Sequence, residues 1–219
     1  MVNTQDAQEP AVGSTVRLLP VARGAERTGQ LAEWSAGPAG IVVTARIDVS
    51  AQDAAALAGE RVWARLQVGE GVRVLEAVAA PGVVRTELEL TGVLSLAAET
   101  RRAEPRVPTQ RRAQLRARAA VAAATTDALA AHTVDLSRSG ARLGLGAGQV
   151  LPDDSTLQVT LEVDGEDAVS VTARVVRTDP ATQEVAVRFV DLVEADAQRI
   201  DRVVLAELSE QAGQAAERG

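Results

Sequence analysis

The chain has 219 residues, 46% of them hydrophobic, and a formal net charge of −7, so it can bury a substantial core. It contains no cysteine and a single histidine, which excludes disulfides and thiolate metal centres and argues against a multi-histidine metal site. The acidic balance also argues against a general nucleic-acid binder, whose contact face is normally basic.

The start of the chain is polar, and residues 1–11 are predicted to form a disordered leader without a secretion signal. No apolar run approaches the ~20 residues that a membrane helix requires. We therefore expect a cytoplasmic protein with no membrane insertion.

Residues 12–98 have the pattern of a small β domain. Apolar or alternating runs occur at residues 14–19, 40–46, 61–68, 72–79 and 83–90, with Gly and Pro between them. Strand-length runs with regular turn residues are typical of a barrel or a sandwich. One helical turn is predicted at residues 51–57, because Ser50 is a good N-cap residue.

Residues 99–111 lose this pattern. They are charged, contain Pro105 and Pro108 and show no apolar period, which predicts an Arg- and Pro-containing hinge. Beyond it, residues 112–219 form the second predicted domain. Strands are expected at residues 115–125, 131–136, 141–145, 156–163, 169–177 and 184–189, with a tight hairpin at Asp164 and Gly165.

The last segment changes to a helical pattern. Asp191 and Glu194 have the spacing of a capping box, and the apolar residues Ile200, Val203, Val204 and Leu208 recur at helical spacing. The predicted fold class is therefore mainly β, with two small β-barrel domains, the second ending in a C-terminal α-helix.

Arginine is concentrated between the two domains, and the chain contains no lysine. Arg112 and Arg116 are four residues apart, so they share a face in a strand or in a helical turn. Guanidinium groups can bind guanine, hold phosphate oxygens in pairs or stack on a purine. Arg102 and Arg106 have the same spacing. We prefer Arg112 and Arg116 because they stand just before a strand-like run, at a compact distance from the next motif.

That next motif is Asp135-x-Ser137-x-x-Gly140. Strict alternation places Asp135 and Ser137 on one face with Thr133, and it places His132 on the opposite face. A carboxylate and a hydroxyl can bind a base or a phosphate, and glycine allows a turn and close approach of a ligand. The same residues also suit a plain hairpin turn. Their pairing with the arginine motif favours a ligand site.

R-x-x-x-R followed by D-x-S-x-x-G resembles the fingerprint of the PilZ domain, a bacterial receptor module for cyclic di-GMP. The segment from Val187 to Leu192 resembles the last strand of that family before its C-terminal helix. The resemblance implies that Arg112, Arg116, Asp135, Ser137 and Gly140 bind cyclic di-GMP, with Arg111 as an accessory. Residues 12–98 resemble the N-terminal domain of flagellar-brake (YcgR-like) proteins in strand rhythm and domain order.

The resemblance implies a receptor whose interdomain arrangement changes on binding and which regulates flagellar motility by contact with a motor protein, at the flagellar basal body. The alternative is a nucleotide-independent adaptor that acts only through protein contacts. No catalytic or metal-binding constellation is found, so we expect no enzyme activity and no cofactor other than the ligand. Whether one or two cyclic di-GMP molecules bind, and whether the chain dimerises, stay open.

Overall fold

A computed structural model of the chain describes residues 9–22, 24–36, 42–69, 71–99, 104–117, 128–163 and 168–217. Within these residues it contains thirteen strands and two helices, which confirms the predicted mainly β fold class. The chain divides into two compact units, one of residues 1–105 with 208–219 and the other of residues 106–207. Most of the predicted leader lies outside the described residues.

The first unit is a closed antiparallel barrel. Its elements are β1 (Thr15–Pro20), β2 (Arg27–Ala36), β3 (Val42–Asp48), α1 (Ala51–Leu57), β4 (Arg61–Val68), β5 (Gly71–Pro81) and β6 (Glu87–Glu99). The strands follow the order β1-β2-β3-β6-β5-β4, and β4 closes the barrel by pairing with β1. Large aliphatic side chains fill the interior, among them Leu18, Leu31, Ile47, Leu66, Leu75, Leu88 and Leu90.

Helix α1 has the predicted bounds because its signals are local. Ser50 accepts a hydrogen bond from the amide of Asp53, which satisfies a backbone donor that the first helical turn leaves free. Ala54 and Leu57 are buried, and the helix contacts β5 and β6. Strand β2 was not predicted, because its sequence alternates only weakly in hydrophobicity.

The second unit contains β7 (Val107–Pro108), β8 (Arg112–Ala117), β9 (Leu129–Ser137), β10 (Gly140–Leu145), β11 (Thr156–Leu161), β12 (Val169–Asp179), β13 (Glu184–Val190) and the larger part of α2 (Glu194–Glu217). The sheet has the order β10-β13-β12-β11-β8-β9-β7, and a further pairing of β9 with β10 closes six strands into a barrel. Strand β7 adds to the outside of β9. The predicted hairpin at Asp164 and Gly165 lies outside the described residues.

Two details of the second unit differ from the sequence prediction. Val107 is fully buried and pairs with Leu136, so the end of the predicted hinge is a strand of this unit. Helix α2 begins at Glu194, whereas Asp191 has a φ of +55° and stands before the helix, so it does not form the predicted capping box. The predicted apolar stripe of α2 is buried as expected, at Ile200, Val203, Val204 and Leu208.

Candidate ligand site on the second barrel

The D-x-S-x-x-G motif forms the hairpin between β9 and β10. Ser137 pairs with Gly140 across a two-residue turn, and its hydroxyl donates to the carbonyl of Gly140 at 3.1 Å. A Cβ on Gly140 would lie less than 3.0 Å from the carbonyl oxygen of Val187 on β13. The φ of Gly140 is not in the left-handed region. Glycine is therefore required here by strand packing and not, as the sequence suggested, by a special turn conformation.

A β-bulge in β9 changes which residues share a face. Asp135 pairs with Arg142 and Thr133 pairs with Leu143, so Val134 is the extra residue. Thr133 consequently faces the core and is fully buried, while His132 lies on the outer face with Asp135. The predicted alternation is wrong for both residues, because a bulge shifts the period by one.

Asp135 lies on the outer face between the side chains of Arg106 and Arg142, and 17% of its own side chain is exposed. One of its oxygens, Oδ2, accepts from Arg142 Nε at 2.9 Å. The guanidinium of Arg106 approaches the other oxygen, Oδ1, at 3.6 Å. This Oδ1 is buried and makes no hydrogen bond to any described residue. The site therefore offers a free acceptor beside two arginine side chains.

The arginines preferred from the sequence lie elsewhere on the barrel. Arg112 and Arg116 are exposed on one face of β8, as the spacing predicted. Arg112, however, pairs with His132 and not with Asp135. At about 3.3 Å per residue, Arg112 is roughly 10 Å and Arg116 roughly 23 Å along the strands from Asp135. The structure brings Arg106 of the rival pair to Asp135 instead.

Arg111 has structural partners. It donates to the carbonyl of Val163 at 2.7 Å and to the carboxylate of Glu207 on α2 at 3.1 Å. Its backbone amide donates to the hydroxyl of Thr133 at 2.8 Å. These bonds join the start of β8 to β9, to the end of β11 and to the helix. Arg102, the first member of the rival pair, lies outside the described residues.

The sequence did not single out Arg138, the middle residue of the motif. Its side chain is 11% exposed, and it binds Asp201 and Glu194 of α2, each at 2.6 Å. Asp201 is 1% exposed. The tip of the motif hairpin is thus fastened to the helix by a buried ion pair. The only sequence signal was an arginine in a turn that is otherwise made of small residues.

The first unit holds a separate buried carboxylate, Glu76 on β5. It accepts hydrogen bonds from Trp63 Nε1 at 3.3 Å, from Arg61 and from Ser209, a residue of α2 that belongs to this unit. Burial alone would raise the pKa of Glu76, but the hydrogen bonds from Ser209, Arg61 and Trp63 and the charge of Arg61 outweigh it, so the pKa is lowered.

Within the described ranges, no group of three or more His, Cys, Asp or Glu side chains could hold a metal ion. Neither helix in the described part of the chain is long and apolar enough to cross a membrane.

Several solved structures are similar to this chain. YcgR from Escherichia coli in complex with c-di-GMP is 14% identical with a TM-score of 0.43, covering 94% of this chain and 88% of that chain. The Bacillus subtilis inhibitor of motility, MotI/DgrA, is 11% identical with a TM-score of 0.42, covering 93% and 98%. The K. pneumonia MrkH–c-di-GMP complex is 14% identical with a TM-score of 0.41, covering 92% and 90%.

No curated protein sequence matches the chain. The family model described as PilZ domain matches residues 100–206. That range includes both arginine pairs, the hairpin motif and most of the second unit. The predicted resemblance to the PilZ family is confirmed for the second part of the chain, and residues 100–206 are a PilZ domain.

Proposed function

We propose that this chain is a receptor for cyclic di-GMP that binds the nucleotide at the β9–β10 hairpin of its PilZ domain. The observation that carries the proposal is the pairing of Arg106 with Asp135, whose Oδ1 is a buried acceptor without a hydrogen-bond partner among the described residues. A buried acceptor without a hydrogen bond lowers the stability of the folded protein, because it has lost its hydrogen bonds to water; a ligand that donates to it removes this penalty.

Guanine matches this arrangement. Its N–H groups can donate to the free oxygen of Asp135, while a guanidinium can hold O6 and N7 or a phosphate oxygen. We assign the guanidinium role to Arg106 and to Arg102, four residues earlier. Ser137 is buried, and its hydroxyl donates to the carbonyl of Gly140, so both residues shape the hairpin that carries the site. Arg111, Arg112 and Arg116 are left out of the assigned contacts because of their partners or their distance from Asp135.

The response follows from where these arginines stand in the chain. A ligand that contacts both Asp135 and residues 102–106 would fix that segment against the hairpin. Any ligand shifts the balance between two conformations only if it binds one of them more tightly than the other. We propose that binding changes the arrangement of the two units. By the sequence resemblance to flagellar brakes, the changed protein would regulate motility in the cytoplasm by contacting a flagellar motor protein at the basal body.

Calorimetric titration of the full-length protein with cyclic di-GMP tests the binding site. We expect Arg106→Gln and Asp135→Asn to weaken binding by about 10- to 100-fold, the value of one or two charge-assisted hydrogen bonds. The matched control is Arg116→Gln, which removes another exposed guanidinium of the same unit and should change affinity by less than about threefold. A large loss in the Arg116 variant with none in the Arg106 variant would contradict the assignment.

Small-angle scattering with and without the nucleotide tests the response. A ligand-dependent change in the maximum dimension supports the proposed rearrangement, and identical curves at saturating ligand would argue against it. If the folded protein releases no heat with cyclic di-GMP and shows no binding by equilibrium dialysis, the receptor proposal fails, and the nucleotide-independent adaptor becomes the better description.

A further inference from the structure

The outer side of β8, β11, β12 and β13 carries five exposed arginines, Arg112, Arg116, Arg174, Arg177 and Arg188. We call this surface the arginine face. Its side chains point away from the barrel interior, because the residues between them, such as Leu115 and Ala173, are buried. The two arginines preferred from the sequence are therefore part of a larger surface that the ligand site does not use.

The strand registers fix the geometry of the arginine face. Arg116 is opposite Gln158, which is opposite Thr172, while Arg174 lies one side-chain row away and directly opposite Arg188. With strands about 4.8 Å apart and a rise of about 3.3 Å per residue, Arg116 and Arg174 are roughly 12 Å apart at the backbone. Long arginine side chains can reach one segment lying between them.

Arginines outnumber carboxylates on this face. Arg112, Arg116 and Arg188 make no ion pair with any described residue, and Arg174 has one exposed partner, Asp154 at 2.8 Å. Residues 112–116, 156–161 and 170–174 contain no Asp or Glu, and the acidic residues at the edge of the face are Glu162, whose amide donates to the carbonyl of Arg112 at 3.1 Å, and Glu184 at the start of β13. Like charges directly opposite each other in a sheet are destabilising, so the pairing of Arg174 with Arg188 is unfavourable in the free protein.

We propose that the arginine face is a docking surface for an acidic segment of a partner protein, lying across β8, β11 and β12. Carboxylates placed between Arg116, Arg174 and Arg188 would relieve the repulsion and form paired hydrogen bonds with the guanidinium groups. The side chain of Gln158 lies between the arginines; its amide nitrogen donates to the hydroxyl of Ser170 at 3.1 Å, and its carbonyl oxygen would accept from the backbone of that segment.

A protein partner fits this face better than a nucleic acid does. Single-stranded nucleic acids are usually held by a positively charged groove with aromatic side chains on which the bases stack. The chain contains only two tryptophans and one phenylalanine, and none is on the arginine face: both tryptophans are in the first unit, and Phe189 is buried. The docking proposal does not depend on cyclic di-GMP binding.

The test uses the full-length protein and a fluorescein-labelled 12-residue peptide of alternating Glu and Ser. Fluorescence anisotropy should show binding that weakens as salt rises, while a Gln/Ser peptide should not bind. Arg116→Glu with Arg188→Glu should weaken binding at least about tenfold, because each reversal replaces attraction by repulsion. Arg46→Glu with Arg85→Glu, in the first unit, makes the same change in net charge and should alter binding less than twofold.

Four outcomes would overturn the proposal. These are no binding by the wild-type protein, equal losses in the two double variants, binding of a 12-nucleotide oligo-dT at least as tight as the peptide, and self-association of the protein that the Arg116/Arg188 variant abolishes. The last two would assign the face to a nucleic acid or to a second copy of this chain. Circular dichroism of each variant confirms that it is folded before binding is measured.

Discussion

The ion pair between Arg138 and Asp201 yields the sharpest test of how the motif hairpin is held. We consider Arg138→Met, which keeps the length of the side chain and removes its charge. Asp201 is 1% exposed, so its carboxylate would stay in the interior without its guanidinium partner. Removing one partner of a buried pair typically costs about 3–5 kcal/mol. We expect the second barrel to lose about 3 kcal/mol of unfolding free energy.

The second carboxylate on Arg138 serves as an internal control. Glu194 binds the same guanidinium at the same distance, but its side chain is 63% exposed. Exposed pairs contribute between about 0.2 and 1 kcal/mol. Glu194→Gln should therefore cost less than about 1 kcal/mol, because water replaces the lost interaction.

Urea denaturation followed by circular dichroism measures these effects, with hydrogen exchange of β9 and β10 amides as a local probe. Both tryptophans, Trp34 and Trp63, are in the first unit, so their fluorescence reports on that unit alone. The double variant Arg138→Met with Asp201→Leu should recover at least about 1.5 kcal/mol of unfolding free energy relative to Arg138→Met, since the carboxylate that lost its guanidinium partner is no longer present. The reasoning is refuted if Arg138→Met costs less than about 1 kcal/mol, or if Glu194→Gln costs as much as Arg138→Met does.

Three further predictions concern single residues. The pKa of Glu76 is lowered in the folded protein, so its stabilising contribution is present above the usual glutamate pKa of about 4.3 and is lost as the pH falls through the lowered value. Urea titrations should therefore show Glu76→Gln to be less stable than wild type at pH 7, with a smaller difference in acid. A difference that does not change with pH would contradict this. Gly140→Ala should cost about 1–3 kcal/mol, because the new Cβ meets the carbonyl of Val187. Gly213→Ala in α2 meets no atom within 4 Å and should stabilise the helix by about 0.5–1 kcal/mol; thermal melts that show similar shifts for both glycines would refute the steric account.

The elements that the sequence predicted with the correct bounds depend on local signals. Helix α1 was found from a capping serine and the residues that follow it, and β4 from an apolar run of strand length. Trp63 interrupts the alternation of apolar and polar residues in β4. Its side chain is buried on the other face of the strand, and its indole N–H donates to Glu76. The hairpin at Ser137 and Gly140 was likewise visible, since its turn residues are contiguous in the chain.

The arginine register could not be decided in this way. Arg102 with Arg106 and Arg112 with Arg116 satisfy the same spacing, and both pairs precede the motif. The two-residue strand β7 brings Arg106 beside Asp135, and it exists because Val107 is buried against β9. A strand of two residues has no period for a sequence pattern to detect.

What the sequence determined by itself is the family and the fold class, because strand rhythm, turn residues and a terminal helical period are properties of neighbouring residues. Only the tertiary structure decided which residues meet at Asp135. The bulge at Val134 moves His132 to the outer face, and β7 places Arg106 at the carboxylate. The bulge depends on the register of the β9–β10 hairpin, and the position of Arg106 depends on pairing between β7 and β9, which are about thirty residues apart; no local sequence pattern encodes either register.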